Sequence, residues 1–142
     1  MNRTNPTDIT LFLIEDDDID AMSIQREFKR RHISSPIIRA KDGIEAFELL
    51  ALGKIKRPFV ILLDLQMPRM NGLEFLTTLR KDSDYKNSVV FVLTTSQDEK
   101  DIFNSYQSNI AGYFIKDEID DGLISIVDIF DAYRKVVYLP VS

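Results

Sequence analysis

The chain contains no cysteine among its 142 residues, which excludes disulfides, thiol catalysis and cysteine-ligated metal sites. It has one histidine, His32. That residue falls at the expected end of a helix, which points to a surface or capping role rather than to imidazole chemistry. No apolar run approaches the roughly 20 residues a membrane helix needs, and Met1 to Thr7 lacks the apolar core of a secretory signal. Residues 1–8 read as a disordered lead-in, and a cytoplasmic location with no membrane association is expected. Positive charge is also scarce: Lys and Arg number 18 against 23 Asp and Glu, a net charge of -5. The clusters Lys29 to Arg31 and Lys54 to Arg57 fall where helices should end, where cations complement the helix dipole. No basic strip remains for nucleic acid. There is no internal repeat and no linker long enough to divide domains. What is present, 44% hydrophobic and 29% charged residues, suits one soluble globular domain, expected over 9–135 with 136–142 as a C-terminal extension.

Two periodicities alternate along the chain. Ile9-Thr-Leu-Phe-Leu-Ile14, Pro36 to Ala40, Phe59-Val-Ile-Leu-Leu63, Val89 to Leu93 and Tyr113-Phe-Ile115 are short apolar runs, as expected for strands buried on both faces. Between them lie segments with helical spacing. Ala21, Ile24 and Phe28 share one face, and Ile44, Phe47 and Leu50 another, with Gly53 as a stop. Leu73, Leu76 and Leu79 follow, then Ile102 and Tyr106, and finally Ile119, Leu123, Ile126 and Phe130 before Pro140. Five strands alternating with five helices imply right-handed crossovers and a doubly wound parallel sheet. Such sheets bind ligands beyond the carboxyl ends of their strands.

Those ends carry Glu15, Asp16 and Asp17 after the first strand, Asp64 after the third, Thr94, Thr95 and Ser96 after the fourth, and Lys116 after the fifth. Converging carboxylates repel unless a cation joins them, and an all-oxygen set suits Mg²⁺. A hydroxyl and an ammonium opposite the metal would grip the oxygens of a transferred phosphoryl group. Singly, each has a plainer reading: Asp17, Asp18 and Asp20 as helix-capping acids, Asp64 as a turn residue, Thr94 and Thr95 as strand ends, and Lys116 as a surface lysine. Four strand ends with complementary chemistry outweigh those separate readings.

Ile14-Glu-Asp-Asp17, Leu63-Asp-Leu-Gln-Met-Pro-Arg-Met-Asn-Gly72, Leu93-Thr-Thr-Ser96 and Gly112-Tyr-Phe-Ile-Lys116 resemble, in order, the motifs of response-regulator receiver domains. The run Leu93 to Ser96 and the tail Tyr133 to Pro140 resemble in particular the small phytochrome-associated single-domain regulators. The resemblance implies a flavodoxin-like three-layer sandwich with strand order 2-1-3-4-5. It implies Asp64 as phosphoacceptor from a histidine kinase, possibly of phytochrome type. Asp16 and Asp64 would ligate Mg²⁺ directly, Glu15 through water, and Gln66 through its backbone carbonyl. Thr94 and Lys116 would bind the phosphoryl group, and Tyr113 would be the switch aromatic, with an ordinary strand-end aromatic as the alternative reading. Asp17, where many relatives carry Asn, stays outside the metal set.

The implied function is a two-component switch acting through protein contacts on a downstream protein the sequence does not name, with no enzymatic role beyond its own phosphoryl transfer and hydrolysis. After the last helix about ten residues remain, too few for an output domain. The apolar segment Val136-Val-Tyr-Leu139 suggests a homodimer, or else folds back on its own domain. An Asp-nucleophile phosphatase of the haloacid-dehalogenase type remains an alternative. Such enzymes, however, resemble Asp-x-Asp near the first strand, whereas this chain reads Asp64-Leu-Gln66 after the third. An unphosphorylated binding module is the other alternative. Finally, the family's Lys-Pro is here Lys116-Asp117, so a trans bond is expected there, with the Asp117 N–H free to cap the next helix.

Overall fold

The computed structural model describes residues 9–116 and 122–139, with the backbone alone for 122–124. The strands are β1 (Thr10–Ile14), β2 (Ile37–Ala40), β3 (Phe59–Leu63), β4 (Val89–Thr94) and β5 (Gly112–Ile115). The helices are α1 (Asp18–Arg30), α2 (Gly43–Ala51), α3 (Gly72–Arg80), α4 (Glu99–Gln107) and α5 (Gly122–Val136). All pairings are parallel, in the order β2-β1-β3-β4-β5. This is the doubly wound flavodoxin-like arrangement that the alternation of periods and the family resemblance led one to expect.

Every residue of β1 and β3 is buried, and their side chains alternate between two cores, as a period of two dictates. Phe12, Ile14, Ile61 and Leu63 pack with Ala46, Leu50, Phe75, Leu76 and Leu79 on the α2 and α3 side. Leu11, Leu13, Val60 and Leu62 pack with Ile24, Phe28, Ile126 and Phe130 on the α1 and α5 side. Phe47 leans on Phe75 with ring centroids 4.7 Å apart, and Phe28 stacks on Phe130 at 5.3 Å.

Among the described residues, four helices start on a polar cap. Asp17 accepts from the N–H groups of Ile19 and Asp20, Asp42 from Glu45, Asp98 from Lys100, and Asn71 forms a capping box with Glu74. Gly53, at φ 68°, stops the second helical run in the left-handed region. Arg80, at the end of α3, donates to the carbonyls of Ser108, Lys86, Ser88 and Asn109, tying the segments that lead into β4 and β5.

The inward faces differ in detail from the expected ones. In α2 the buried residues are Gly43, Ala46 and Leu50, while Ile44 and Phe47 are only half-buried. The fully buried Phe75 takes the place expected of Leu73, which is partly buried. Tyr106 is 50% exposed, and α4 buries only Ser105. In the last segment Val137 and Leu139 pack on the α1 and α5 core, so the extension folds back in part, while Val136 and Tyr138 point outward. Ile119, the Leu123 side chain, Pro140, residues 1–8 and the Lys116–Asp117 bond lie outside what is described.

Candidate functional site

The site forms where the carboxyl ends of β1, β3, β4 and β5 meet. Parallel register carries Ile14 beside Leu63 and Thr94 beside Ile115, so the next residue of each strand enters one cleft. Glu15 and Asp64 are continuations of the ladder: the Glu15 N–H donates to the Ala40 carbonyl, and the Asp64 N–H to that of Ile14. Both are held inside the fold, and Asp16 stands at its exposed rim. One carboxylate oxygen from each of Glu15, Asp16 and Asp64 lies within 4.8 Å of the others. Gly72 makes room for this corner. A Cβ there would lie 2.6 Å from the Asp64 carbonyl oxygen and from the Leu65 Cα.

Lys116 crosses into this cluster from β5. Its Nζ donates to Glu15 Oε1 at 2.8 Å, to Asp20 Oδ2 at 2.7 Å and to Asp64 Oδ2 at 3.2 Å. Its side chain is 8% exposed, those of Glu15 and Asp64 2% and 6%. Burial and the neighbouring Asp64 push the Glu15 carboxyl up to about 8 despite Lys116. The same two causes, burial first, raise Asp16. Burial works against the Lys116 ammonium, but hydrogen bonds to Asp20 and Glu15 more than offset it and hold its pKa above the ordinary lysine value. The cleft therefore holds more negative charge than one ammonium neutralises, which is the electrostatic condition of a site for a hard cation. The donors fit such an ion: carboxylates only, with no histidine or cysteine among them.

The other residues singled out from the sequence also gather here. Asp64 Oδ1 accepts from the Gln66 N–H at 3.1 Å, and the Gln66 side chain accepts from the Thr95 hydroxyl at 2.6 Å across the cleft. Thr94 is fully buried and its Oγ1 takes the Ser96 N–H at 3.4 Å. Tyr113 is half-buried against the α2 and α3 core, and its hydroxyl donates to the Ser96 carbonyl at 2.8 Å. Its ring thus rests inward. Asp17 serves as the α1 cap and is not part of the carboxylate triad.

Three contributors were not singled out for the site from the sequence. Asp20 was counted as a capping acid, yet it makes the shortest contact to Lys116. Arg39 on β2 donates to the Glu15 carbonyl at 2.9 Å and pairs with Asp18 at 2.7 Å, bracing the loop after β1. Arg69, at φ 62°, grips Asp42 with both Nε and Nη2 and pins the loop after β3 to the start of α2.

Comparison with known proteins agrees with this geometry. The family model of the response regulator receiver domain matches residues 11–128. Response regulator Rcp1 of Synechocystis sp. is 32% identical over 146 residues, covering 99% of either chain. The crystal structure of the Mn²⁺-bound form of Rcp1 aligns over 93% of this chain and 99% of its own, with a TM-score of 0.82 at 31% identity. That of the phosphorylated cyanobacterial phytochrome response regulator RcpA aligns over 94% and 99%, at 0.83 and 31%. Five parallel strands in this order, an acidic pocket at their ends, and full-length similarity to regulators of this size lead to one assignment: the chain belongs to the response regulator receiver domain family.

Proposed function

We propose that this response regulator accepts a phosphoryl group from a histidine kinase on Asp64 and signals through altered protein contacts. The observation that carries the reading is the Lys116 ammonium, buried and bonded to both Asp64 and Glu15. Mg²⁺ held by Asp16 and Asp64, by Glu15 through water and by the Gln66 carbonyl would supply positive charge to the phosphoryl oxygens. The Asp64 carboxylate attacks the phosphorus of phosphohistidine, a P–O bond forms, the P–N bond breaks, and the imidazole leaves. The Lys116 N–H now directed at Asp64 turns to a phosphoryl oxygen, and the Thr94 hydroxyl donates to another.

The response follows from how Thr94 is wired. Its hydroxyl is tied to the Ser96 N–H, and the Ser96 carbonyl is the acceptor of Tyr113. Movement of Thr94 toward the phosphoryl group displaces the segment that holds the Tyr113 ring, and with it the face formed by α4, β5 and α5. Phe103 and Tyr106 of α4 are exposed there and give a downstream protein apolar surface to read. Similarity to the phytochrome regulator RcpA supports a phytochrome-type kinase as donor. The exposed Val136 and Tyr138 support a homodimer, and a chain in which no described helix is long and apolar enough to cross a membrane suits the cytoplasm. The domain is taken as 9–135, with 136–142 as its extension.

The test is incubation with acetyl phosphate and Mg²⁺, followed by intact mass. The expected result is one added phosphoryl group, slowly lost, absent without metal and absent in Asp64→Asn. Labelling of Asp64→Asn at the wild-type level refutes the assignment. Sustained turnover of the donor points instead to a phosphatase.

A further inference from the structure

Lys116 has three partners, and two of them, Glu15 and Asp64, belong to the carboxylate triad that would hold the metal. The third, Asp20, lies outside that triad. It sits in the first turn of α1, one helical turn before the buried Ile24, and its side chain is 23% exposed. Its contact to Nζ, at 2.7 Å, is shorter than that to Asp64, at 3.2 Å.

We infer that Asp20 is a positioning residue, which anchors the Lys116 ammonium at the edge of the cleft so that one of its N–H groups stays aimed at Asp64 while a metal and a phosphoryl group occupy the site. The inference rests on the reading of Asp64 as phosphoacceptor and Lys116 as its partner, and adds a residue that touches neither the metal nor the phosphoryl group.

The physical argument concerns which bonds survive loading of the site. An ammonium has three N–H donors, and in the metal-free protein all three are used. When a divalent ion takes oxygens of Asp16 and Asp64 directly and of Glu15 through water, it competes with Lys116 for Glu15 and Asp64 and repels the ammonium. Asp20 is then the one partner, among the described residues, that the ion leaves untouched. A lysine stem has four rotatable bonds and strong hydration, so without an anchor Nζ swings toward solvent and loses its aim. With the anchor, the weakest of the three bonds, the one to Asp64, is the one free to redirect to a phosphoryl oxygen. The anchor has a particular use in this chain, because Asp117 stands where the family's proline follows the lysine.

The experiment uses the full chain at saturating Mg²⁺ and compares phosphorylation rates by acetyl phosphate for wild type, Asp20→Ala and Asp20→Asn. Asp20→Ala should slow phosphorylation about tenfold, below the roughly hundredfold that a misplacement of about 1 Å can cost. Its thermal midpoint should stay within about 2 °C, since Ala suits a helix first turn and the site is part-exposed. Asp20→Asn keeps an acceptor oxygen for Nζ and should recover to within about threefold of wild type. A purely structural role predicts no such rescue. Should Asp20→Ala fail to fold, Asp20→Ser, too short to reach Nζ, makes the same comparison. Equal rates for wild type and Asp20→Ala overturn the inference, as does an Asn variant no faster than Ala. A wild type that takes up no phosphoryl group, or an Asp64→Asn variant that does, overturns the parent reading and the inference with it.

Discussion

Replacing Asp64 by Asn should stabilise the metal-free protein, although it destroys the proposed phosphoacceptor. At about pH 9, above the value of about 8 to which Glu15 is pushed, the Glu15 carboxyl carries its charge. Asp64 then faces Glu15 at no more than 4.8 Å, a repulsion of at least about 3.5 kcal/mol at an effective dielectric of ~20. Asp16 is exposed, and solvent reduces its share to roughly half of that. Against both stands Lys116 at 3.2 Å, an attraction of about 5 kcal/mol on the same scale. These terms offset to within about 1 kcal/mol, so the burial of an ionised carboxylate, worth several kcal/mol, decides the sign. Asn removes that charge and keeps an acceptor for the Gln66 N–H. Part of the gain is returned because an amide beside Lys116 is a poorer partner, leaving a stabilisation of about 1–3 kcal/mol. Urea unfolding in EDTA should show the midpoint of Asp64→Asn above wild type with an unchanged slope. Saturating Mg²⁺ should shrink or reverse the difference, because only the wild type keeps the full carboxylate set. A metal-free Asp64→Asn less stable than wild type at that pH would show that Lys116, not desolvation, dominates the cleft.

Gly72→Ala places a Cβ 2.6 Å from the Asp64 carbonyl and should cost about 2–4 kcal/mol while also slowing phosphorylation, which unfolding curves and intact mass together would check. Arg80→Leu removes four carbonyl bonds and should cost about 2–4 kcal/mol with the site chemistry unaltered; equal stability by urea titration would refute the clip. Glu15 has its folded pKa raised from 4.5 to about 8, so the folded state binds more protons than the unfolded one in that window, and metal-free stability should fall as pH rises through it. The fall, followed by urea midpoints from about pH 5 to about pH 9, should largely vanish in Glu15→Gln.

Much of this molecule was readable in advance, for identifiable reasons. β3 was legible to the residue because Phe59 to Leu63 is buried on both faces and bounded by Pro58 and Asp64. The acidic cleft was legible because a parallel sheet delivers all strand ends to one edge. Helix faces were less so. Phe75 and Ala46 were passed over in favour of Leu73, Ile44 and Phe47 at similar spacing, although a close-packed interior selects shape as much as hydrophobicity. Tyr106 was counted inward on periodicity, but α4 meets the body through the small Ser105. Asp20 disappeared into an acidic run that reads as helix capping. Its signal was its phase: four and eight residues before Ile24 and Phe28, it heads the inward row of α1. Arg39 was visible as a lone cation in an otherwise apolar parallel strand, but nothing local names the Glu15 carbonyl as its partner.

The three bonds of Lys116 span 101, 96 and 52 residues of chain. Contacts of such separation form only after the intervening loops have closed. During synthesis the acidic motif and Asp64 emerge well before the lysine that completes their site, so a growing or partly unfolded chain presents carboxylates without their ammonium. On the proposed function, competence to receive a phosphoryl group would therefore be a certificate of a finished fold: a kinase would charge only those copies whose last strand has docked, and phosphorylated protein would count the correctly folded population rather than the total.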